Sequence, residues 1–326
     1  MAASFDPVPT EFQVPFAWLD GECVPAATAA VPLMSLTVHY GIGVFEGIRA
    51  YDGADGPAVF RLREHIARLF RSAALLRLEI PFAAAAIERG CTDVLARNGL
   101  RAGYLRPLVF VDDGKRGLGA SNNRIRVAIA TWPWGRYLGD EGVRNGIRAQ
   151  VSTFARMSPR SFVPKGKVCG QYVNSVLAKR TAAAAGFDEA ILLDDDGCVA
   201  EATGENLFLV RDGALCTPPP SQPILDGITR ASVIELAREL GLAVREERFA
   251  RDTLLLADEV FLTGTAAEIT PVREIDGHRI GGGTRGPVTE RLQKVYLDAV
   301  HGRLPSRPEW RTRYDVRSDA AERSAR

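Results

Sequence analysis

A chain of 326 residues is long enough for two domains, each with its own core. Its 46% hydrophobic and 25% charged residues give a globular composition, and a net charge of +1 points away from nucleic acid, membrane surfaces and acidic partners. Five scattered cysteines without a CxxC pair and four histidines without ligand spacing offer no metal site, and no run is apolar enough for a signal peptide or membrane span, so reduced thiols in a cytoplasm are expected.

The first ten residues read as a loose arm. Phe16-Ala17-Trp18 before Asp20-Gly21, and Ile48-Arg49-Ala50-Tyr51 before Asp52-Gly53, read as strands closed by turns. Apolar spacing at Ile66, Leu69, Phe70, Ala73 and Leu76 predicts an amphipathic helix over 63–78, and a second helix over 83–97 stops at Asn98-Gly99. Strands follow over 104–111 and 125–132. Residues 133–146 carry four glycines, one proline and no periodicity, which marks a linker. The resulting division is a small N-terminal domain at 1–136, a linker at 137–146, a larger C-terminal domain at 147–303 and a tail at 304–326. In the second half a strand is expected over 149–153, an Ala-rich helix over 171–185, and strands at 190–193, Val199 and 207–210. A helix over 229–240, strands at 260–263 and 269–272, and a helix over 287–300 complete the order. This is an α+β pattern of many short strands without the regular alternation of a doubly wound sheet, and no GxGxxG follows a strand. The tail after Arg303, rich in Arg, Ser and Pro, reads as a partly disordered end, with RNA binding as the second reading.

Chemistry concentrates in two runs. Gly166-Lys167-Val168-Cys169-Gly170-Gln171-Tyr172 sets a lysine among small residues, where an electrophile could be carried as a Schiff base. In Glu201-Ala202-Thr203-Gly204-Glu205-Asn206-Leu207-Phe208, Glu201 ends a strand and could face a ring nitrogen, keeping it protonated. Together they suggest a cofactor enzyme in which the protein supplies an amine and an anion. A solvated loop lysine is the ordinary alternative, accepted for Lys165 and Lys179, and Glu205 is the rival acid in a setting that looks like a structural turn. A phosphate could sit at Gly227-Ile228-Thr229-Arg230, where a helix opens with free N–H groups, at Gly264-Thr265-Ala266-Ala267 after a strand, or beside Arg68. The competing role for Arg68 is a surface ion pair with Glu64 at i,i−4. Tyr104 and Arg106 share one strand face by period two, and Arg106 among apolar neighbours calls for an anionic partner. Tyr40, Phe45, Trp134 and Tyr137 are either ordinary core and turn residues or the walls of a pocket.

These residues resemble the branched-chain amino acid aminotransferases, of the fold-type IV pyridoxal-phosphate enzymes. Besides the two runs, the resemblance is carried by Val38-His39-Tyr40-Gly41, Phe45-Glu46-Gly47-Ile48-Arg49, Arg63-Glu64-His65 with Arg68-Leu69, and Tyr104-Leu105-Arg106-Pro107. Pro133-Trp134-Gly135 with Tyr137-Leu138-Gly139, Gly227-Ile228-Thr229-Arg230, and the stretch from Asp258 to Val272 complete it, in family order across roughly 15–300. The resemblance implies an α+β, two-domain D-amino-acid aminotransferase-like fold and pyridoxal 5'-phosphate as cofactor. Lys167 would carry the cofactor and shuttle the substrate proton, Glu201 would pair with the ring nitrogen, and Tyr172 with the ring hydroxyl. Arg68, Ile228, Thr229 and Thr265 would hold the phosphate; Thr265 and Ala266, with Tyr104, would meet the substrate carboxylate. Phe45, Tyr40, Trp134 and Tyr137 would wall the side-chain pocket, Tyr40 reaching in from a second subunit of a homodimer or higher oligomer, and Arg106 would meet the distal carboxylate of glutamate. The implied reaction moves an amino group between L-branched-chain amino acids and 2-oxoglutarate, as in branched-chain amino acid biosynthesis. Gln171 stands where Asn is common, Ala202 where Gly is common, and the loop 112–121 has its own sequence.

Rival readings within the fold group are a D-amino-acid aminotransferase, an (R)-amine aminotransferase, an aminodeoxychorismate lyase, or an enzyme for an unusual apolar amino acid. From other classes come a non-catalytic cofactor-binding protein and a Schiff-base lyase without cofactor. Lys167, Glu201 and Tyr172 together count against the first of these, and the phosphate matches against the second.

Overall fold

The computed structural model describes residues 13–135 and 139–316. The first half contains strands β1 (Phe16–Leu19), β2 (Glu22–Pro25), β3 (Gly43–Phe45), β4 (Ile48–Gly53), β5 (Gly56–Phe60), β6 (Gly103–Val111) and β7 (Ile125–Trp132), with helices α1 (Leu36–Tyr40), α2 (Leu62–Leu75) and α3 (Ala84–Arg97). There follow α4 (Gly139–Asn145), β8 (Ile147–Val151), α5 (Tyr172–Ala184), β9 (Glu189–Leu193), β10 (Val199–Ala202), β11 (Asn206–Arg211) and β12 (Ala214–Thr217). The remainder is α6 (Ile228–Glu239), β13 (Ala243–Glu246), α7 (Arg251–Leu255), β14 (Glu259–Gly264), β15 (Glu268–Ile275), β16 (His278–Arg279), α8 (Pro287–Val300) and β17 (Arg311–Arg313).

The strands make two sheets, and the fold is α+β. The first, in the order β17-β5-β4-β6-β7-β1-β2 with β3 also on β6, pairs its strands antiparallel. The second, β10-β9-β8-β15-β14-β11-β12-β13 with β16 on β15, mixes antiparallel pairs with the parallel pairs β8·β9, β8·β15 and β12·β13. One face of the first sheet packs on α2 and α3, burying Ile48, Ile66, Leu69, Val94, Leu105 and Ile129. The second sheet is covered on both faces. Alternation along β11 sends Phe208 and Val210 into the core shared with α6 and α8, and Leu207 and Leu209 into the opposite core. Phe208 stacks on its cross-strand partner Phe261 with ring centroids 5.1 Å apart.

Two stretches depart from the sequence expectation. Within 133–146, Gly139–Asn145 is helical rather than linker; Val143 is buried and its carbonyl accepts from Gln293 Nε2 at 3.0 Å. Too short and glycine-rich to show a period, this helix owes its stability to packing on β15. The tail is folded through Val316: β17 adds to β5, and Trp310 and Tyr314 are buried. Its Arg-rich composition hid these two aromatic anchors. The arm at 1–10, Tyr137, and the last ten residues lie outside the described residues.

Candidate active site

Strand β6 carries one wall of the site through its pleat. Leu105 and Val109 enter the core on one face, while Tyr104, Arg106 and Leu108 line a cavity of about 760 Å³ on the other. The expectation that Tyr104 and Arg106 share a face is met. Gly47, between β3 and β4, leaves room for the Tyr104 hydroxyl: a Cβ there would lie 1.9 Å from that oxygen. The Arg106 guanidinium lies 4.7 Å from the Phe45 ring centroid, 5.6 Å from Tyr104 and 5.8 Å from Trp132, so aromatic faces take the place of a carboxylate. Its Nε is buried without a hydrogen-bond partner among the described residues. Trp134 lines the same cavity, its ring 5.6 Å from Tyr104.

Lys167 enters this cavity from the segment before α5. Its backbone N–H donates to Ser72 Oγ at 3.0 Å and its carbonyl accepts from Phe45 N at 3.0 Å, which pins it between α2 and β3. Its Nζ lies 2.7 Å from the Tyr172 hydroxyl and 5.1 Å from the centroid of Phe45. The two other lysines are spent elsewhere: Lys165 pairs with Asp226 at 2.9 Å and Lys179 with Glu189 at 2.6 Å.

Glu201 sits on β10, buried behind Tyr172, and both line a smaller void. Its Oε1 accepts from Arg156 Nε at 2.6 Å; its Oε2 accepts from Asn206 Nδ2 at 3.1 Å and from Leu225 N at 3.0 Å. Burial pushes its carboxyl up from the ordinary value, and Arg156, the Leu225 N–H and Lys167 pull against that. The rival Glu205 is also buried and lines both cavities. Burial and the neighbouring Glu189 push it up to about 8, with Lys179 opposing. Glu201 has a guanidinium bonded to it where Glu205 has a carboxylate for a neighbour, so Glu201 is the better anion.

Three of the expected phosphate ligands, Arg68, Ile228 and Thr229, lie at or beside the start of α6. Ile228 and Thr229 are buried in its first turn, and Gly227 precedes them where a Cβ would meet Asn206 Oδ1 at 1.8 Å. That close approach sets the helix start against Asn206 at the head of β11, whose amide donates to Glu201. Arg68 reaches the same place, its Nη1 donating to the Asp226 carbonyl at 2.9 Å. The surface ion pair with Glu64 does not form, since Arg68 is buried and its Nε and Nη2 donate to Glu46 at 2.7 and 2.8 Å, while Glu64 pairs with Arg61. Thr265 is half-buried in the turn between β14 and β15, beside Ala266, which lines the cavity. Tyr40 is exposed on α1 and is not among the residues lining this cavity.

Several residues around the site escaped sequence reading. Glu46 is fully buried under Arg68 and His65. Burial would raise its carboxyl, but Arg68, aided by His65, holds it well below the usual carboxylate range. Burial also lowers the His65 imidazole against the pull of Glu46, whose Oε2 lies 2.7 Å from the ring Nδ1. Arg156 lies in an irregular loop 45 positions before its partner, and no spacing marks it. Asn206 had a signal, its place in the glutamate run. A lysine with a phenol, a buried anion behind that phenol, and a helix start beside an arginine suit a flat phosphorylated ring bearing a carbonyl.

A family model described as Amino-transferase class IV matches residues 43–275. The chain belongs to this family. Among its relatives, the Branched-chain-amino-acid aminotransferase of Pseudomonas aeruginosa is 45% identical over 295 residues, covering 90% of this chain and 96% of the relative. Among solved structures, the T.th. branched-chain amino acid aminotransferase with pyridoxamine 5'-phosphate superposes with a TM-score of 0.90 at 49% identity, covering 93% of this aminotransferase chain and 100% of that one. The same enzyme complexed with N-(5'-phosphopyridoxyl)-L-glutamate gives a TM-score of 0.89 at 48% identity over 93% of this chain and 100% of that one. Within class IV, the chain therefore falls among the branched-chain amino acid aminotransferases, with their fold-type IV architecture.

Proposed function

We propose that this enzyme transfers the amino group between L-branched-chain amino acids (leucine, isoleucine, valine) and 2-oxoglutarate, with pyridoxal 5'-phosphate as cofactor, giving branched-chain 2-oxo acids and L-glutamate. The observation that carries this reading is the Lys167 Nζ–Tyr172 hydroxyl contact of 2.7 Å, in a cavity walled by Phe45, Tyr104, Trp134 and the guanidinium of Arg106. When bound, the cofactor supplies a carbonyl carbon that takes up the amino group and a ring that accepts electrons from the substrate α-carbon.

The side chains do the rest. Lys167 Nζ holds the cofactor and then moves the proton at the substrate α-carbon. Tyr172 orients that amine and would hydrogen-bond the ring hydroxyl. Glu201, bonded to Arg156, would face the ring nitrogen and, as a carboxylate, favour its protonated form. Arg68, Ile228, Thr229 and Thr265 hold the phosphate, the helix start offering N–H groups to the anion. Thr265, Ala266 and the Tyr104 hydroxyl take the substrate carboxylate. Phe45 and Trp134 would enclose a branched alkyl chain, and Arg106 would bind the second carboxylate when glutamate enters. Such a pocket favours leucine over D-alanine by the apolar area it covers.

The working unit is proposed to be a homodimer, or a higher oligomer, with a shared active site in the cytoplasm. Val173, Val176 and Leu177 are exposed along α5, and Val38 and Tyr40 are exposed on α1. The two helices adjoin, since Gly170 N donates to the Gly41 carbonyl at 3.1 Å, so these side chains can form one apolar face that a second copy would cover and through which its Tyr40 would enter. The function is tested by mixing cofactor-loaded protein with single amino acids and following the visible absorption band. L-Leu, L-Ile, L-Val and L-Glu should bleach it; bleaching by D-Ala or an (R)-amine but not by L-Leu would overturn the assignment. Borohydride reduction followed by peptide mapping should place the adduct on Lys167.

A further inference from the structure

We propose that Gln171 is a positioning residue that ties the Glu201 carboxylate, through Arg156, to the backbone of the lysine segment. The inference rests on the reading above, in which Glu201 faces the cofactor's ring nitrogen. Gln171 is 3% exposed and ends the short turn Cys169–Gln171 that leads into α5. Its amide lies between a carbonyl and a guanidinium, and these neighbours dictate its orientation. The nitrogen donates to the Gly166 carbonyl at 3.2 Å, and the oxygen accepts from Arg156 Nη1 at 3.2 Å and from Nη2. Arg156 thus offers Nε to Glu201 and its outer nitrogens to Gln171.

A continuous path of hydrogen bonds results. It runs from Gly166, the residue before Lys167, through Gln171 and Arg156 to Glu201, so the amine and the anion of the site share one support. Arg156 is 4% exposed, and a buried guanidinium that loses an acceptor has no water to replace it. Asparagine at this position would be shorter by one C–C bond, about 1.5 Å, and would fall short of spanning Gly166 and Arg156 together. The charged groups facing Glu201 are Arg156 and Lys167, with Glu205 the acid beside it. Loss of the Arg156 orientation therefore weakens the hold on the Glu201 anion, and Glu201 takes up a proton at higher pH.

The test titrates cofactor-free, full-length protein with pyridoxal 5'-phosphate across a range of pH, following absorbance and protein fluorescence. Q171L should bind about tenfold more weakly at neutral pH, the scale of one hydrogen bond to a charged group, and its binding should fall off at higher pH than the parent's on acidification. In an R156K background the same substitution should add little, because both act through one guanidinium. Unchanged affinity and an unchanged acid limb for Q171L, or an undiminished further loss in R156K, would overturn the proposal. If Q171L does not fold, Q171N decides: an intermediate loss with a displaced acid limb supports the proposal, and parental behaviour overturns it. Failure of the parent protein to bind the cofactor at all would instead overturn the functional reading.

Discussion

The Arg106 guanidinium lies against the faces of Phe45, Tyr104 and Trp132, with no carboxylate bound to it among the described residues. Such contacts stabilise a cation by about 0.5–2 kcal/mol and leave hydrogen-bonding capacity for an incoming anion. In the proposed reading an apolar substrate would occupy the cavity without breaking an ion pair, while glutamate would gain one. Arg106→Ala should slow the glutamate half-reaction about 100-fold while the leucine half-reaction changes much less, as the loss of about 3 kcal/mol of charge-assisted bonding implies. Single-turnover kinetics with each amino acid would measure this, and equal losses would show Arg106 to be a structural residue. The same scale separates the two buried acids. Glu201 and Glu205 are only four positions apart; burial raises both carboxyls, a guanidinium opposes the rise at Glu201, and a carboxylate neighbour adds to it at Glu205.

Among the elements, α2 shows how a helix exceeds its sequence pattern. Leu62, Ile66, Leu69 and Ala73 make the apolar stripe, but His65, Arg68 and Ser72 are buried beside it. Ser72 receives the Lys167 N–H and Arg68 reaches α6, so this polar edge connects the first sheet to the site. Glu46 makes that edge tolerable by accepting from both His65 and Arg68. Glu46→Gln should destabilise the protein by about 3–5 kcal/mol, since it leaves a buried guanidinium unpaired; urea unfolding would measure the loss, and a change below about 1 kcal/mol would contradict it. The pH dependence follows from the sign of the shift. Because the folded carboxyl is depressed, its contribution is present above the ordinary carboxylate value and is lost as pH falls through the depressed one. The difference between parent and Glu46→Gln should therefore shrink on strong acidification.

At the scale of the molecule, the apolar side chains exposed on α5 and α1 are the surface that the proposed assembly would cover. Sedimentation should give a particle of at least two chains, and Val173→Glu combined with Leu177→Glu should shift it toward monomer and lower activity, since one wall of each pocket would then be missing. A double variant that sediments unchanged would place the interface elsewhere. The strands and helices were legible wherever period two or period 3.6 ran long enough, as in β6, α2 and α8. They were not legible in α4 or β17, which are short and held by packing. Lys167, Glu201, Tyr172 and the α6 start stood out because small residues and turn signals bracket them. Arg156, Glu46 and His65 did not, because their partners lie 45, 22 or 19 positions away in the chain. The sequence alone determined which residue types were present for amine, anion and phosphate chemistry, and that Tyr104 and Arg106 share one face of β6. The tertiary structure alone decided which acid has a guanidinium bonded to it, which arginine is buried and what Gln171 touches. The reason is physical: local pattern controls backbone conformation, whereas charge state and side-chain orientation are set by burial and by partners that only folding brings together.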